Sequence, residues 1–131
     1  MVLPPPSRKG FVTNYPPFRQ WKNTEGEEEL SPINIYVHIP FCLQRCAYCY
    51  YKTNEIKEKS SYLGRYVDAL CREIELAASR FHLKSRKVNS VYFGGGTPTL
   101  LKPDQMRNIT ECLRKNLTIE EPEFTVEAEP V

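Results

Sequence analysis

Ile33-Asn34-Ile35-Tyr36-Val37-His38-Ile39-Pro40-Phe41-Cys42-Leu43-Gln44-Arg45-Cys46-Ala47-Tyr48-Cys49 decides the fold, because it starts as a strand and ends as a thiol cluster. Its first seven residues are mostly β-branched or aromatic and run almost without polar interruption, the pattern of a parallel strand buried on both faces. Pro40, which has no N–H for a ladder, ends the strand. Three thiols then follow within eight residues, at the carboxyl edge where open α/β sheets bind ligands. Three thiolates on one loop can hold a cubane of iron and sulfide and leave its fourth iron open to a chelating ligand. A structural zinc ion wants four ligands, usually in two separated pairs, and His38 is close enough in sequence to complete a Cys₃His set. Three buried or redox-sensing cysteines are the plainer alternative. His38, however, sits on the strand two residues before a rigid proline, and chance rarely clusters three thiols so tightly, so the spacing favours iron and sulfide over both.

Downstream, apolar residues recur at three- and four-residue spacing. Leu63, Tyr66, Val67, Leu70, Ile74, Ala77, Ala78 and Phe81 predict a helix from Ser61 behind a serine cap. Val88 to Phe93 reads as a strand halted by Gly94-Gly95-Gly96, and Pro103 opens a second helix with Met106, Ile109, Leu113 and Leu117 on one side. Phe124 to Glu129 reads as a third strand. This alternation predicts an α/β fold with parallel strands joined by two right-handed crossovers. No helix follows the third strand to cover it, so residues 33–131 are expected to be the N-terminal piece of a larger domain. Residues 1–32 hold six of the eleven prolines, the aromatics Phe11, Tyr15, Phe18 and Trp21, and the acidic cluster Glu25 to Glu29, which suits an irregular arm.

Composition narrows the function classes. Hydrophobic residues make up 40% of the 131 and charged residues 26%, as in a globular domain. Eighteen basic against sixteen acidic residues are scattered along the chain, so no field is expected to attract nucleic acid or an anionic membrane. With no signal-peptide run and no long apolar stretch, a cytoplasmic protein is expected. Five cysteines in a reducing compartment favour metal ligation or apolar packing over disulfides. Cys71 and Cys112, each beside leucine on a predicted helix, read as small buried hydrophobes.

Gly94-Gly95-Gly96-Thr97 has the character of a ligand loop, since a backbone without Cβ atoms admits close approach and its N–H groups can face a ligand. No Lys-Ser/Thr pair follows at the spacing a nucleotide-phosphate loop requires.

Tyr36-Val37-His38-Ile39-Pro40-Phe41-Cys42, Cys46-Ala47-Tyr48-Cys49 and Val91-Tyr92-Phe93-Gly94-Gly95-Gly96-Thr97-Pro98 together resemble the radical S-adenosylmethionine (SAM) family, in the branch of oxygen-independent coproporphyrinogen III oxidase and related haem chaperones. The resemblance runs from about Ile33 to Pro130. It implies a partial (β/α)₆ barrel, of which this chain holds the first three strands. It also implies that Cys42, Cys46 and Cys49 ligate a [4Fe–4S] cluster whose open iron is chelated by SAM. Tyr48 matches an aromatic lying against the adenine, and Tyr36 a tyrosine near the sulfonium. Gly95, Gly96 and Thr97 match the cofactor loop, and Glu127 a carboxylate that binds SAM; alternation would put Glu129 on the same side of the strand, so Glu127 is preferred on the resemblance alone. The implied chemistry is SAM cleavage fed by a low-potential electron donor, acting on a small molecule such as a porphyrinogen or haem. One departure bears on the substrate: the oxidase subgroup usually carries a further cysteine two positions after the third ligand, where this chain has Tyr51. A haem chaperone, another branch member, or a non-catalytic iron–sulfur or zinc module are the alternatives.

Overall fold

The computed structural model describes residues 32–56 and 61–129. The Pro-rich arm up to residue 31, the serine cap expected ahead of the first helix, and residues 130–131 lie outside these. Strand β1 is Ile33–Ile39, followed by the short pieces β2, Phe41–Cys42, and β3, Asn54–Glu55. Helix α1 is Ser61–Arg80, β4 is Lys87–Gly95, α2 is Pro103–Asn116 and β5 is Thr118–Val126. Strands β1, β4 and β5 form one parallel sheet in that order, and β2 pairs with β3 in a second small one. The strand, helix, strand, helix, strand array of the sequence is therefore present.

The sheet has one covered and one open face. Val37, Ile39, Val88, Val91 and Phe93 are buried together with Leu63 and Val67 of α1 and Ile109 and Leu113 of α2. Tyr36 and Tyr92, on the alternate positions, are exposed. This corrects the expectation of a strand buried on both faces: tyrosine and asparagine alternate with isoleucine and valine in β1, and the period of two sends them to the open side. There Ser90 donates to Asn34 Oδ1 at 2.9 Å, and the rings of Tyr36 and Tyr92, register partners in β1 and β4, stack with centroids 5.9 Å apart.

Three boundaries differ from the sequence reading. Strand β4 continues through Gly94 and Gly95, which pair with His38 and Ile39. Strand β5 starts at Thr118, well before Phe124, and ends at Val126, so Glu127 and Glu129 lie beyond it. Its early half was hidden by Pro122, beside which Glu121 takes φ +46 and the register to β4 slips between Val88 and Ser90. Phe81 falls just past the end of α1 and is exposed rather than on its apolar face. Phe124 is half exposed on the outer strand. Helix α2 starts where Pro103 fixes φ, with the Lys102 N–H donated to Gln105 Oε1 at 2.9 Å. Among the described residues, no helix is long and apolar enough to cross a membrane.

Candidate functional site: a thiol loop facing a glycine turn

The three cysteines lie on a loop whose two ends are stapled together. Asn54 donates its N–H to Pro40 O at 2.7 Å and Ile56 to Cys42 O at 2.9 Å, so the chain leaves the sheet edge at Cys42 and returns beside it. Cys42 is buried against the sheet, Cys49 is half-buried and Cys46 is exposed; all three are free thiols. Within the loop, Cys49 donates its N–H to Cys46 O at 3.0 Å, and Arg45 Nη2 donates to Cys49 O at 3.2 Å. Tyr48 hydrogen-bonds the Cys46 thiol, and that bond, followed by the nearby charge of Cys46, burial, and the more distant Glu129 and Cys49, raises its phenol above the usual tyrosine range.

Among the described residues, no three His, Cys, Asp or Glu side chains converge on a point where one ion would sit. Thiolates on a cubane each hold a different iron and so stand farther apart than the ligands of a single ion. The donor set is soft, sulfur-only and on one short loop, which fits an iron–sulfur cluster in chemistry.

The glycine turn is built against this loop. Gly96 donates its N–H to Ile39 O at 2.8 Å and Thr97 to Phe41 O at 2.7 Å, which locks the turn beneath the strand leading to Cys42. A Cβ on Gly96 would stand 2.5 Å from Phe41 O, one on Gly95 would meet the His38 ring at 2.5 Å, and one on Gly94 would press on Tyr92 and Glu127. Gly95 also takes φ +113, a conformation that disfavours side chains. The glycines are thus required by the protein's own packing, and the N–H groups of Gly95, Gly96 and Thr97 are bonded within the protein.

Glu127 gathers the open side of the site. Tyr92 donates its hydroxyl to Glu127 Oε1 at 2.7 Å, and Gly95 donates its N–H to Glu127 Oε2 at 3.0 Å. Glu129 accepts from Thr97 Oγ1 at 3.2 Å, so the two glutamates left equivalent by alternation have separate partners on one turn. The Glu127 bond is the first cause of a raised Tyr92 phenol. Tyr36 is raised by burial first and by Glu127 second, and lies 3.2 Å from His38 Nδ1 through its hydroxyl. Raised above the usual tyrosine range, both phenols stay protonated at neutral pH.

The structure brings Tyr36, Gly95 and Glu127 together, while Thr97 reaches Glu129; Gly96 faces the backbone of residues 39–41, and Tyr48 stands on the thiol loop. Tyr92, Tyr66 and Arg45 were missed from the sequence. The register-mate position opposite Tyr36 was the available signal for Tyr92. Tyr66 donates to His38 O at 2.6 Å and meets the Phe41 ring edge-on, bracing β1 from α1. His38, weighed in the sequence only as a zinc ligand, instead seats its ring on Gly95 and its Nδ1 by Tyr36. Cys71 and Cys112 meet between α1 and α2, where Cys112 Sγ lies 3.4 Å from Cys71 O.

The sequence model of the Radical SAM superfamily matches residues 36–131. The chain is 36% identical over 107 residues to the heme chaperone HemW of Buchnera aphidicola subsp. Schizaphis graminum, covering 78% of this chain and 27% of that protein. It is 38% identical over 105 residues to the oxygen-independent coproporphyrinogen III oxidase of Pseudomonas aeruginosa, covering 76% and 22%. Anaerobilin synthase of Escherichia coli O157:H7 is 38% identical over 94 residues, covering 71% and 21%. Among solved structures, coproporphyrinogen III oxidase (HemN) from Escherichia coli, described as a radical SAM enzyme, superimposes with a TM-score of 0.74 and 30% identity, covering 90% of this chain and 29% of that one. The chain spans about a quarter of the length of the curated relatives it matches. With its parallel sheet, thiol loop and glycine turn in that order, the chain belongs to the radical SAM superfamily.

Proposed function

We propose that Cys42, Cys46 and Cys49 hold a [4Fe–4S] cluster, and that Tyr36, Tyr48, the Gly95-Gly96-Thr97 turn and Glu127 bind SAM beside it. The observation that carries this reading is Glu127, a carboxylate oriented by Gly95 N–H and Tyr92 Oη at the strand ends next to the thiol loop. A carboxylate oxygen has two lone-pair directions, so each Glu127 oxygen keeps one for a cationic group. The SAM ammonium suits it, because a bond between charged partners is roughly twice as strong as a neutral one. Tyr48 offers its ring to the adenine, and Tyr36 its ring and hydroxyl to the sulfonium end. Cys42, Cys46 and Cys49 would hold the cluster, which when reduced would supply one electron for cleavage of the sulfur–C5′ bond of SAM to methionine and a 5′-deoxyadenosyl radical. This chain's residues bind, orient and shield; the cofactors carry the chemistry.

The substrate class we infer is a tetrapyrrole, supported by relatives named for coproporphyrinogen and haem, with a porphyrinogen oxidation as the first reading. A haem chaperone is the second, favoured by Tyr51 in place of a further cysteine. A low-potential electron donor and a cytoplasmic location complete the proposal. The test is anaerobic reconstitution of the full-length protein with iron and sulfide, followed by SAM and dithionite. About four irons per chain and release of 5′-deoxyadenosine are expected, with both lost in Cys46→Ala. Stoichiometric zinc without iron, or an iron-replete protein that leaves SAM intact, overturns the proposal. Turnover of coproporphyrinogen III, against stable haem binding without turnover, separates the two substrate readings.

A further inference from the structure

We propose that Arg45 is the positioning residue of the thiol loop, which fixes the turn carrying Cys46 and Cys49 and raises the reduction potential of the cluster held there. The inference rests on the proposed function, since it requires iron and sulfide on the three thiolates. Arg45 is the only charged residue between Cys42 and Tyr51. Its Nη2 reaches forward to Cys49 O at 3.2 Å, while Cys49 N–H reaches back to Cys46 O at 3.0 Å. Residues 45–49 are therefore closed on themselves by two bonds, one from the backbone and one from a guanidinium, and two of the three thiols ride on that closed segment.

Both bonds matter because of what the segment must hold. Thiolates brought together repel one another, and a cubane carrying them is net negative, more so after it gains an electron. A guanidinium stays protonated at every working pH and presents five donors in a rigid fork, so one donor can hold Cys49 O while the rest of its charge lies along the loop. A fixed cation stabilises the more negative, reduced state most, and cluster potentials follow local charge and hydrogen bonding. The segment is exposed, so this effect is screened by salt.

The test compares wild type, Arg45→Gln and Arg45→Lys in the full-length protein, each checked for native circular dichroism before anaerobic reconstitution. Iron per chain, the rate of iron loss to a chelator, and the midpoint potential by spectroscopic titration are measured. Arg45→Gln is expected to shift the midpoint to more negative values, by an amount that shrinks as salt is raised, and to lose iron several-fold faster. Arg45→Lys is expected to keep a midpoint near wild type, since the charge remains. It should still lose iron faster, because an ammonium on a flexible stem does not reproduce the planar contact with Cys49 O. An Arg45→Gln protein with wild-type midpoint and iron retention overturns the inference, as does a lysine variant shifted as far as the glutamine one. A wild-type protein that takes up no iron overturns the functional reading instead, which keeps the two failures distinct.

Discussion

Tyr92 and Glu127 are joined by a 2.7 Å hydrogen bond that ties the middle strand to the first residue past the outer one, and the same carboxylate holds Gly95 N–H on its other oxygen. Because two donors orient Glu127, removing one should be milder than removing the carboxylate. Tyr92→Phe is expected to weaken SAM binding by the iron-loaded protein several-fold, and Glu127→Ala to weaken it far more. Calorimetric titration decides the order, and equal losses would show that Tyr92 touches the ligand itself.

Gly95 carries two independent demands, φ +113 and the His38 ring at 2.5 Å from an added Cβ. Gly95→Ala is expected to cost about 1–3 kcal/mol of stability without any ligand present. In the double variant Gly95→Ala/His38→Ala the steric part should be relieved while the backbone part remains. Urea denaturation of the four proteins measures both, and strict additivity of the single losses would remove His38 from the account.

Tyr66 holds the end of β1 through its 2.6 Å bond to His38 O. Tyr66→Phe should cost about 1 kcal/mol. Burial first, then Glu73 and Tyr36, raise the Tyr66 phenol, so its folded value lies above its unfolded one. The stabilisation is therefore complete below about pH 10 and lost as pH rises through the higher folded value. The stability difference between wild type and Tyr66→Phe should close over that window; a constant difference up to pH 11 would contradict the stated direction.

Burial, followed by the neighbouring Cys112, pushes the Cys71 thiol up to about 11. At pH 8 only about one Cys71 in a thousand is then thiolate. Iodoacetamide mapping of the iron-free chain should label exposed Cys46 well before Cys71, and Cys71 should speed up about tenfold per pH unit through pH 10. Early Cys71 labelling at pH 8 would mean that the contact between α1 and α2 opens readily.

Ile109 is fully buried, with 0% of its surface exposed, where α2 meets the sheet. Ile109→Ala should cost about 2–5 kcal/mol, whereas Leu76→Ala, at a side chain 71% exposed, should stay within about 0.5 kcal/mol. The midpoints of chemical denaturation compare them directly, and a loss at Leu76 as large as that at Ile109 would place the core elsewhere.

Where the sequence was readable, a single physical cause dominated. The 3.6 period of α1, the proline opening α2 and the β-branched run of β1 each had one strong signal. Three thiols in eight residues were equally plain, because short spacing alone forces them onto one loop. What stayed hidden depended on partners distant in sequence. Tyr36 suits a buried or an open strand face equally well, and only the placement of both helices on one side shows which. Pro122 masked the first half of β5. The glycines read as space for a ligand, and only the structure adds that His38, Phe41 and Glu127 occupy the room that side chains there would need. Arg45 is one exposed arginine among many until its reach to Cys49 O is seen.

Because residue 54 bonds back to residue 40 and residue 56 to residue 42, the thiol loop begins and ends at nearly the same place. Changes in length or shape between residues 43 and 53 can be taken up inside that closed contour, with no change in the register of β1 against β4. The loop behaves as a cassette plugged into one socket of the sheet. Grafting residues 40–56 between members of the superfamily should therefore transfer the environment of the thiols as a unit, while the glycine turn and Glu127 remain with the recipient.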